Sequence, residues 1–381
     1  MGFFTGRVTW SRFRVNGPPP GMFDADYLQK LAAYQAGRSR LAAADGVELG
    51  WLAGDHILDT RFDLAKNIVN DTLHFVLRID IDKIPADLLR AYYQVELEAA
   101  AANNPSGRPS ARQKREAKEA ARERLEEQAK DGRFRRRKAI EVLWDAQANE
   151  LLFGTTASGA IDQLYSLFEQ TFDRKLEQIT AGKQAHALAE ARALARNVDD
   201  AQPTVYLPGL SPTELAWVLD ETSRDFLGNE FLLWLWWTLD VEGDTLKLAD
   251  GSEATAMLAR TLTLECPRGQ TGRESISSDG PTRLPEAKRA IQSGKLPRKV
   301  GITVVRHDQQ YELTLQAETL SVSGAKLPPV EGDELRVRLE ERVNQLRHLI
   351  ETLDLLYDAF IQQRCTNLWA ETTRRIQKWL Q

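Results

Sequence analysis

Residues 83–133 contain two helical segments that restrict the fold, because the two cannot both be buried in one hydrophobic core. The first, "IPADLLRAYYQVELEAAAA", begins near Pro85, which suits a first helical turn where its missing N–H costs nothing. The second, "ARQKREAKEAARERLEEQAK", is too polar to be buried and follows the breaker "NNPSGRPS" at 103–110. The sequence therefore predicts a helical hairpin that projects from the body. The first helix carries an apolar stripe: Leu88, Tyr92, Val95 and Ala99.

The rest of the chain mixes strand and helix patterns. Residues 8–15 alternate apolar with polar side chains, as a strand does. The segment "DTLHFVLRIDID" at 71–82 alternates in the same way and predicts a half-buried strand. An amphipathic helix is expected at 158–172 and a β-hairpin at 299–316. We predict an α+β fold with mixed antiparallel sheets, a projecting helical hairpin (the tip), a central region, a base region and a C-terminal helix.

These patterns divide the chain into five predicted parts. In the base, a capped helix at 211–227 leads to the apolar run "FLLWLWW" at 231–237, and a Gly/Ser-rich loop covers 268–282. The apolar run indicates core rather than a stacking surface for bases. The parts are a central α+β domain (1–82 and 134–173), the tip (83–133), a polar, alanine-rich helical connector (174–202), a base α+β domain (203–330) and a C-terminal helical segment (331–381).

The C-terminal segment has heptad spacing. Its apolar residues could form an intermolecular coiled coil, or they could pack on the body of the same chain. Because three heptads is near the minimum for an independent coiled coil, we favour packing within the chain. The residues concerned are Leu339, Val343, Leu346, Ile350, Leu353, Tyr357 and Phe360.

Several classes of protein are disfavoured by the sequence. The longest apolar run is too short to span a bilayer, and the first residues do not resemble a signal peptide, so we expect a cytoplasmic protein with no membrane partner. Cys266 and Cys365 lie far apart, which does not suggest a disulfide framework. Motifs for phosphate binding, serine hydrolysis, zinc proteolysis and dinucleotide binding are absent. We expect no catalytic residue, no metal and no cofactor.

Positive charge is concentrated in two islands of an otherwise acidic chain. The formal net charge is −5, but residues 108–138 hold 13 Lys or Arg against 6 Asp or Glu. Residues 283–299 hold 6 against 1, whereas residues 331–358 hold 8 acidic against 4 basic residues. Such unevenness indicates a dedicated surface for a polyanion such as DNA.

The segment "GRFRRRK" is the strongest candidate DNA contact. Adjacent cations repel one another and find no matching acids nearby in sequence, so phosphate is their natural counter-charge. An exposed Phe134 among them would fit a partner subunit or stack on a base. For the second tip helix, a solvated surface with i, i+4 pairs explains the charges equally well. The candidates are Lys114, Lys118, Arg122, Arg133, Arg135, Arg136, Arg137, Lys138, Arg283, Lys288, Arg289, Lys295, Arg298 and Lys299.

Two alternatives stay open beside DNA binding without catalysis. Asp80 and Asp82 lie on one face of a predicted strand, where they could share a divalent metal and serve a nuclease. The sequence shows no further converging ligands, which favours a solvated strand edge. The other alternative is a protein-interaction scaffold that docks through the tip and the C-terminal helix.

At these segments the chain resembles the recombination-associated RdgC family of bacterial DNA-binding proteins, over most of residues 1–360. The features are, in order, "GW" at 50–51, "IPADLL", "GRFRRR", "LLFGTTAS" and "LPEAKRAIQSGKLPRKVGI". No single motif is diagnostic, and their order and spacing carry the resemblance.

The resemblance implies a homodimer of curved subunits, joined tip to tip and base to base into a ring around duplex DNA. Such a ring would not read sequence, would lie on the nucleoid and would limit RecA-dependent recombination; single strands stay open as a second ligand. Phe134 corresponds to an interface phenylalanine. Before the helix at 285, where relatives have a lysine pair, this chain has Ser278 and Asp279, so the resemblance adds Arg273 beside Arg283 as a DNA contact.

Overall fold

The structure is a computed structural model that describes residues 2–38, 46–102, 107–207, 223–266, 272–330 and 334–381. Within these ranges it contains eleven α-helices and thirteen strands, and the named strands pair antiparallel. The predicted α+β class is therefore confirmed. The expected capped helix at 211–227 falls mostly outside the described residues.

The secondary structure has the following bounds. The strands are β1 (Val8–Val15), β2 (Val47–Leu52), β3 (Ile68–Val69), β4 (Thr72–Asp82), β5 (Arg135–Asp145), β6 (Glu150–Phe153), β7 (Leu176–Gln178), β8 (Thr245–Lys247), β9 (Glu253–Glu265), β10 (Arg273–Ser278), β11 (Leu296–Arg306), β12 (Gln309–Gln316) and β13 (Val322–Lys326). The helices are α1 (Ala25–Ala33), α2 (Leu64–Asn67), α3 (Ala86–Ala102), α4 (Ala111–Ala129), α5 (Ser158–Phe172), α6 (Ala181–Glu190), α7 (Ala195–Asp199), α8 (Phe226–Val241), α9 (Pro285–Gln292), α10 (Leu335–Arg364) and α11 (Leu368–Leu380).

The chain forms two compact units. The larger unit comprises the described residues of 1–23, 65–74 and 141–381, and the smaller unit comprises those of 24–64 and 75–140. Strands β4 and β5 contribute residues to both units. The five-part division expected from the sequence stays a prediction.

The larger unit is built on an antiparallel sheet in the order β10-β9-β11-β12-β13-β1-β6. The hairpin of β11 and β12 pairs Lys299 with Gln316 at one end and Arg306 with Gln309 at the other, which confirms the predicted hairpin. The predicted Gly/Ser-rich loop at 268–282 is wrong for residues 273–278, because these form β10 against β9. The serines of β10 alternate with Ile276, whose side chain is buried, so a strand periodicity was present beneath the loop-like composition.

Helix α8 forms the centre of the larger unit's core. It packs against β11 and helices α6, α10 and α11. Trp234, Trp236 and Trp237 are each at most 2% exposed, and all residues from 226 to 238 are buried. The interpretation of the apolar run as core is therefore confirmed, and these indole rings offer no surface to a base.

The segment 174–202 is helical in part, as predicted, but it is not a solvated connector. Helices α6 and α7 place Ala181, Ala185, Ala189 and Val198 in the larger unit's core. The small alanine side chains allow α6 to approach α8 and α10 closely. The alanine-rich composition of this segment therefore marks tight helix packing.

The C-terminal segment packs within its own chain. Leu346, Tyr357 and Phe360 of α10 join the larger unit's core, and the Tyr357 hydroxyl donates to the carbonyl of Ala181 at 2.9 Å. The alternative of an intermolecular coiled coil would require these same side chains, so packing within the chain is confirmed.

In the smaller unit, β2 pairs with β4 and α3 pairs with α4. Gly50 of β2 passes so close to Ala36 that an added Cβ would lie 2.3 Å from the Ala36 Cα, which explains the glycine before Trp51. Helix α4 begins with a capping box in which Ser110 and Gln113 exchange hydrogen bonds. Helix α4 buries a narrow seam: Ala117, Ala121 and Leu125.

The expectation of a half-buried strand at 71–82 is wrong. Strand β4 is buried on both faces from Thr72 to Asp80, because charge pairs replace water on its polar face. The apolar stripe predicted on α3 is partly open to solvent, since Leu88 is 40% and Val95 is 55% exposed. Within the described residues, no helix is long and apolar enough to cross a membrane, and Cys266 and Cys365 are both buried.

Candidate nucleic-acid interface

The alternation of side chains along β5 separates its cations into two sets. Arg135 lies between Glu48 and Asp82, with nitrogen–oxygen distances of 3.2 and 3.1 Å. The hydrogen bonds that Arg135 donates to the Asp82 carboxylate raise the pKa of Arg135. Arg137 Nε lies 3.6 Å from an Asp80 carboxylate oxygen. One set of cations therefore faces the carboxylates of β2 and β4.

A charge ladder connects these three strands. The pairing of β2 with β4 places Glu48 opposite Asp80, so both side chains lie on the same face. Arg78 Nε lies 3.0 Å from Asp80, whose side chain is 2% exposed. Neither oxygen of Asp80 accepts a well-aligned hydrogen bond from the described residues, so the contact is mainly between charges. The charge ladder comprises Glu48, Arg78, Asp80, Asp82, Arg135 and Arg137.

The expectation that the cations of 133–138 have no matching acids nearby in sequence is wrong for Arg133, and two others pair with acids distant in sequence. Besides Arg135 and Arg137, Arg133 pairs with Asp131 at 2.6 Å in the turn before β5. Asp82 lies 53 residues before Arg135, so sequence proximity could not indicate this pairing. These three arginines already have counter-charges within the smaller unit.

Arg136 and Lys138 form the second set on β5. Both are exposed, and neither has a carboxylate partner among the described residues. Because Arg135 and Arg137 point to the acids, alternation places Arg136 and Lys138 on the opposite face. Two positive charges that no described carboxylate neutralises therefore lie side by side on one face of a strand.

Phe134 stands in the turn that leads into β5. Its side chain is half-buried, and its backbone carbonyl accepts a hydrogen bond from the Lys83 N–H at 3.3 Å. Phe134 is therefore not fully exposed, and its place in a subunit interface stays a prediction.

The candidate cations of α4 are exposed but differ in their partners. Arg122 Nε donates to Glu126 at 2.8 Å, one turn further along the helix. Lys114 and Lys118 have no carboxylate partner among the described residues. Arg115, which the sequence analysis did not single out, is likewise exposed and without a described partner. It lies in the same basic run, so its signal was present in the sequence.

Three candidates of the second island serve the fold of the larger unit. Lys295 is 4% exposed and pairs with Glu274. Arg298 bridges Glu265 and Glu318 at 2.7 and 2.9 Å. The third candidate is Lys288, whose Nζ lies 3.5 Å from an Asp240 carboxylate oxygen and 4.5 Å from the centroid of the Trp379 ring. Phosphate would have to displace these partners, which disfavours the three as primary DNA contacts.

The remaining candidates of the second island are open to solvent. Arg273, Arg283, Arg289 and Lys299 are exposed and have no ion-pair partner in the described part of the chain. Across the predicted set, eight cations are therefore available and seven are paired. The available cations are Lys114, Lys118, Arg136, Lys138, Arg273, Arg283, Arg289 and Lys299.

The two carboxylates predicted on one face of a strand are present, but arginine side chains contact both of them. Asp80 and Asp82 lie on one face of β4, as alternation predicted, and Arg78, Arg135 and Arg137 contact them. Among the described residues, no three His, Cys, Asp or Glu side chains converge in a manner that could hold a metal.

A scan against protein-family models found no match for this chain, and a search of curated proteins found no match either. The resemblance to the RdgC family thus rests on the motifs quoted above.

Proposed function

We propose that this protein binds duplex DNA without reading its sequence and catalyses no step on it. The observation that carries this proposal is the pair Arg136 and Lys138, exposed on one face of β5 without a carboxylate partner among the described residues, while their neighbours Arg135 and Arg137 are neutralised. Phosphate oxygens supply the missing counter-charge, and lysine and arginine contacts to phosphate carry no sequence information.

The oligomeric and cellular parts of the proposal depend on the family resemblance. In that reading two subunits, with Phe134 at their interface, close a ring around the duplex in the cytoplasm, on the nucleoid, and restrain RecA-dependent recombination. Binding to single strands is compatible with the same cations, since both ligands present a row of phosphates.

The observations do not favour the nuclease alternative. A divalent metal at Asp80 and Asp82 would have to displace three guanidinium groups, and it would find few further ligands. Incubation of labelled DNA with the protein and Mg²⁺ or Mn²⁺ tests this directly, and cleavage products would reject a purely binding protein. No observation favours a scaffold that lacks DNA binding.

The test of DNA binding compares two double variants that each remove two positive charges. Arg136→Gln with Lys138→Gln should weaken binding to every duplex alike and reduce the slope of log K against log salt by about 2, because each phosphate contact contributes about 0.9. Arg112→Gln with Arg122→Gln removes cations that already pair with Glu116 and Glu126, and should have a smaller effect. Fluorescence anisotropy with several labelled duplexes at several salt concentrations measures both.

Equal effects of the two double variants would show that net charge alone governs binding, and would remove β5 from the proposed interface. Sequence preference among the duplexes would also contradict the proposal.

A further inference from the structure

The larger unit contains a cavity of about 570 Å³, and the charged residues that line it in the described part of the chain are all positive. These residues are Arg7, Lys326, Arg338 and Arg342. Apolar side chains such as Phe4 and Leu339 complete the walls. The cavity is within the size range of small-molecule sites, and far larger than a single ion requires.

Arg342 is the buried cation of the cavity, and it has no carboxylate partner among the described residues. Its side chain is buried, with 8% exposed, and it donates from Nε to the Phe3 carbonyl at 3.0 Å and from Nη2 to the Gly6 carbonyl. Nη1 has no partner among the described residues, and no carboxylate pairs with the guanidinium. Burial lowers the pKa of Arg342, as expected for a charge without a counter-ion.

The other buried arginines of the larger unit differ from Arg342. Arg12 is paired with Glu150 and Asp354, and Arg306 is paired with Asp250 and Glu351. Burying an unpaired charge is costly, so a fold that pairs such charges elsewhere leaves Arg342 as an exception.

The remaining cations of the cavity keep most of their charge available. Arg338 has no partner in the described chain, and Arg7 donates only to the Gly324 carbonyl, at 3.1 Å. Lys326 lies 3.5 Å from Glu312, a carboxylate that already pairs with Arg260 at 2.7 Å.

The N-terminus of α10 strengthens the positive field of the cavity. The helix starts at Leu335, which lines the cavity, and no side chain caps its first turn among the described residues. An uncapped helix start presents free N–H groups and the positive end of the helix dipole.

We propose that this cavity binds a phosphate monoester with an apolar or aromatic body. Guanidinium groups match phosphate oxygens in geometry and charge, and several cations suit a dianion better than a carboxylate. The apolar walls and the volume accommodate a body larger than the phosphate itself. The inference does not depend on DNA binding, since it uses none of the available cations of β5, α4 or the second island.

Isothermal titration of the full chain with AMP tests the proposal, with adenosine and inorganic phosphate as matched probes. AMP should bind at one site per chain, adenosine should give no heat of binding, and phosphate should bind more weakly than AMP. Arg338→Gln should weaken AMP binding by about tenfold or more, the effect of losing a charge-assisted hydrogen bond. Arg196→Gln, at a side chain that is 90% exposed and outside the cavity, should leave it unchanged.

Arg338 is exposed, so its variant tests the site without threatening the fold, whereas Arg342→Gln adds a buried position as a second test with a larger expected loss. Absence of AMP binding, or equal binding of AMP to the wild type and to Arg338→Gln, would overturn the proposal. Equal affinity for phosphate and AMP would overturn the apolar body of the ligand. Displacement of bound duplex DNA by AMP would reassign the cavity to DNA phosphates.

Discussion

At the scale of single residues, Glu141 on β5 connects the start of the chain to the larger unit's sheet. Its carboxylate accepts a hydrogen bond from the Phe3 N–H and lies 3.6 Å from His74 Nε2. The aromatic ring of Phe4 packs edge-on against His74 with ring centroids 4.8 Å apart. Gly2 fits only because it lacks a side chain, since a Cβ there would overlap the Glu141 carboxylate. One carboxylate therefore organises three consecutive residues.

Replacing Glu141 by Gln should remove part of the pH dependence of stability. Burial raises the pKa of Glu141, but the His74 ring and the Phe3 N–H outweigh it and hold the pKa below its ordinary value of 4.5. A depressed carboxylate pKa stabilises the fold above the unfolded pKa, and this stabilisation is lost as the pH falls through the folded pKa. The free energy of unfolding of the wild type and of Glu141→Gln, from urea titrations at about pH 6 to about pH 3, should therefore converge at low pH. A difference that stays constant over this range would contradict the assignment.

At the scale of elements, contact between α8 and the sheet depends on the absence of a side chain. A Cβ at Gly228 would lie 1.9 Å from the Ala317 carbonyl oxygen and 3.0 Å from the Ala181 Cβ. The helix axis can therefore approach the end of β12 only with glycine at this position. This close approach also brings the three tryptophans of α8 into the core.

Gly228→Ala should destabilise the protein by about 2 kcal/mol or more, because the helix must move away from a backbone group that cannot yield. The matched control is Gly159→Ala in α5, where nothing lies within 4 Å of the added Cβ. This control should be neutral or stabilise by up to about 1 kcal/mol, through helix propensity and a smaller unfolded-state entropy. Urea unfolding of both variants measures the contrast, and similar stabilities would show that the contact relaxes freely.

Elements with a clear period were predictable from the sequence, and those with mixed signals were not. Strand β1 and the hairpin of β11 and β12 follow a simple alternation, so both were found where expected. Strand β10 was hidden by serine and glycine composition, and the burial of α6 was hidden by its polar residues. In both cases the deciding contact is with an element distant in sequence, which local periodicity does not contain.

At the scale of the whole molecule, the cations fall into two groups: some pair with carboxylates of the same chain, and others are exposed without a described partner. Several arginines of the larger unit stabilise its fold through carboxylates distant in sequence, as Arg12 does with Asp354, 342 residues away. The formal net charge of −5 thus conceals the cations that remain available on the surface. The number of exposed, unpaired cations, rather than the total number of cations, should determine how strongly DNA binding depends on salt concentration.

If only the eight available cations contact phosphate, the slope of log K against log salt should not be steeper than about −7 per chain. Participation of all fifteen predicted cations would give about −13, because each neutralised phosphate contributes about 0.9. Anisotropy titrations of the wild type over a range of salt concentrations, with the stoichiometry determined at low salt, distinguish these values. A slope well beyond −7 would mean that cations outside these eight contact phosphate, either unpaired ones such as Arg115 or ones whose ion pairs open, such as Arg298 with Glu318.

The candidate site was only partly predictable from the sequence. The basic run marked Arg136 and Lys138 as cations, and no carboxylate in the described part of the chain neutralises either of them. It could not distinguish them from Arg135 and Arg137, since that distinction depends on acids of β2 and β4. The cavity lined by Arg7, Lys326, Arg338 and Arg342 could not be predicted from the sequence, because Arg7 and Arg342 are 335 positions apart.

The charge ladder has a consequence for how insertions and deletions in β5 would act. Because consecutive side chains point to opposite faces, a one-residue slip of β5 along β4 would exchange the two sets of cations. Arg136 and Lys138 would then meet the carboxylates, and Arg135 and Arg137 would be left without them. Apolar contacts alone would align this run of nearly identical residues poorly. Ion pairs with buried Asp80 and its neighbours therefore fix the register of β5 against β4.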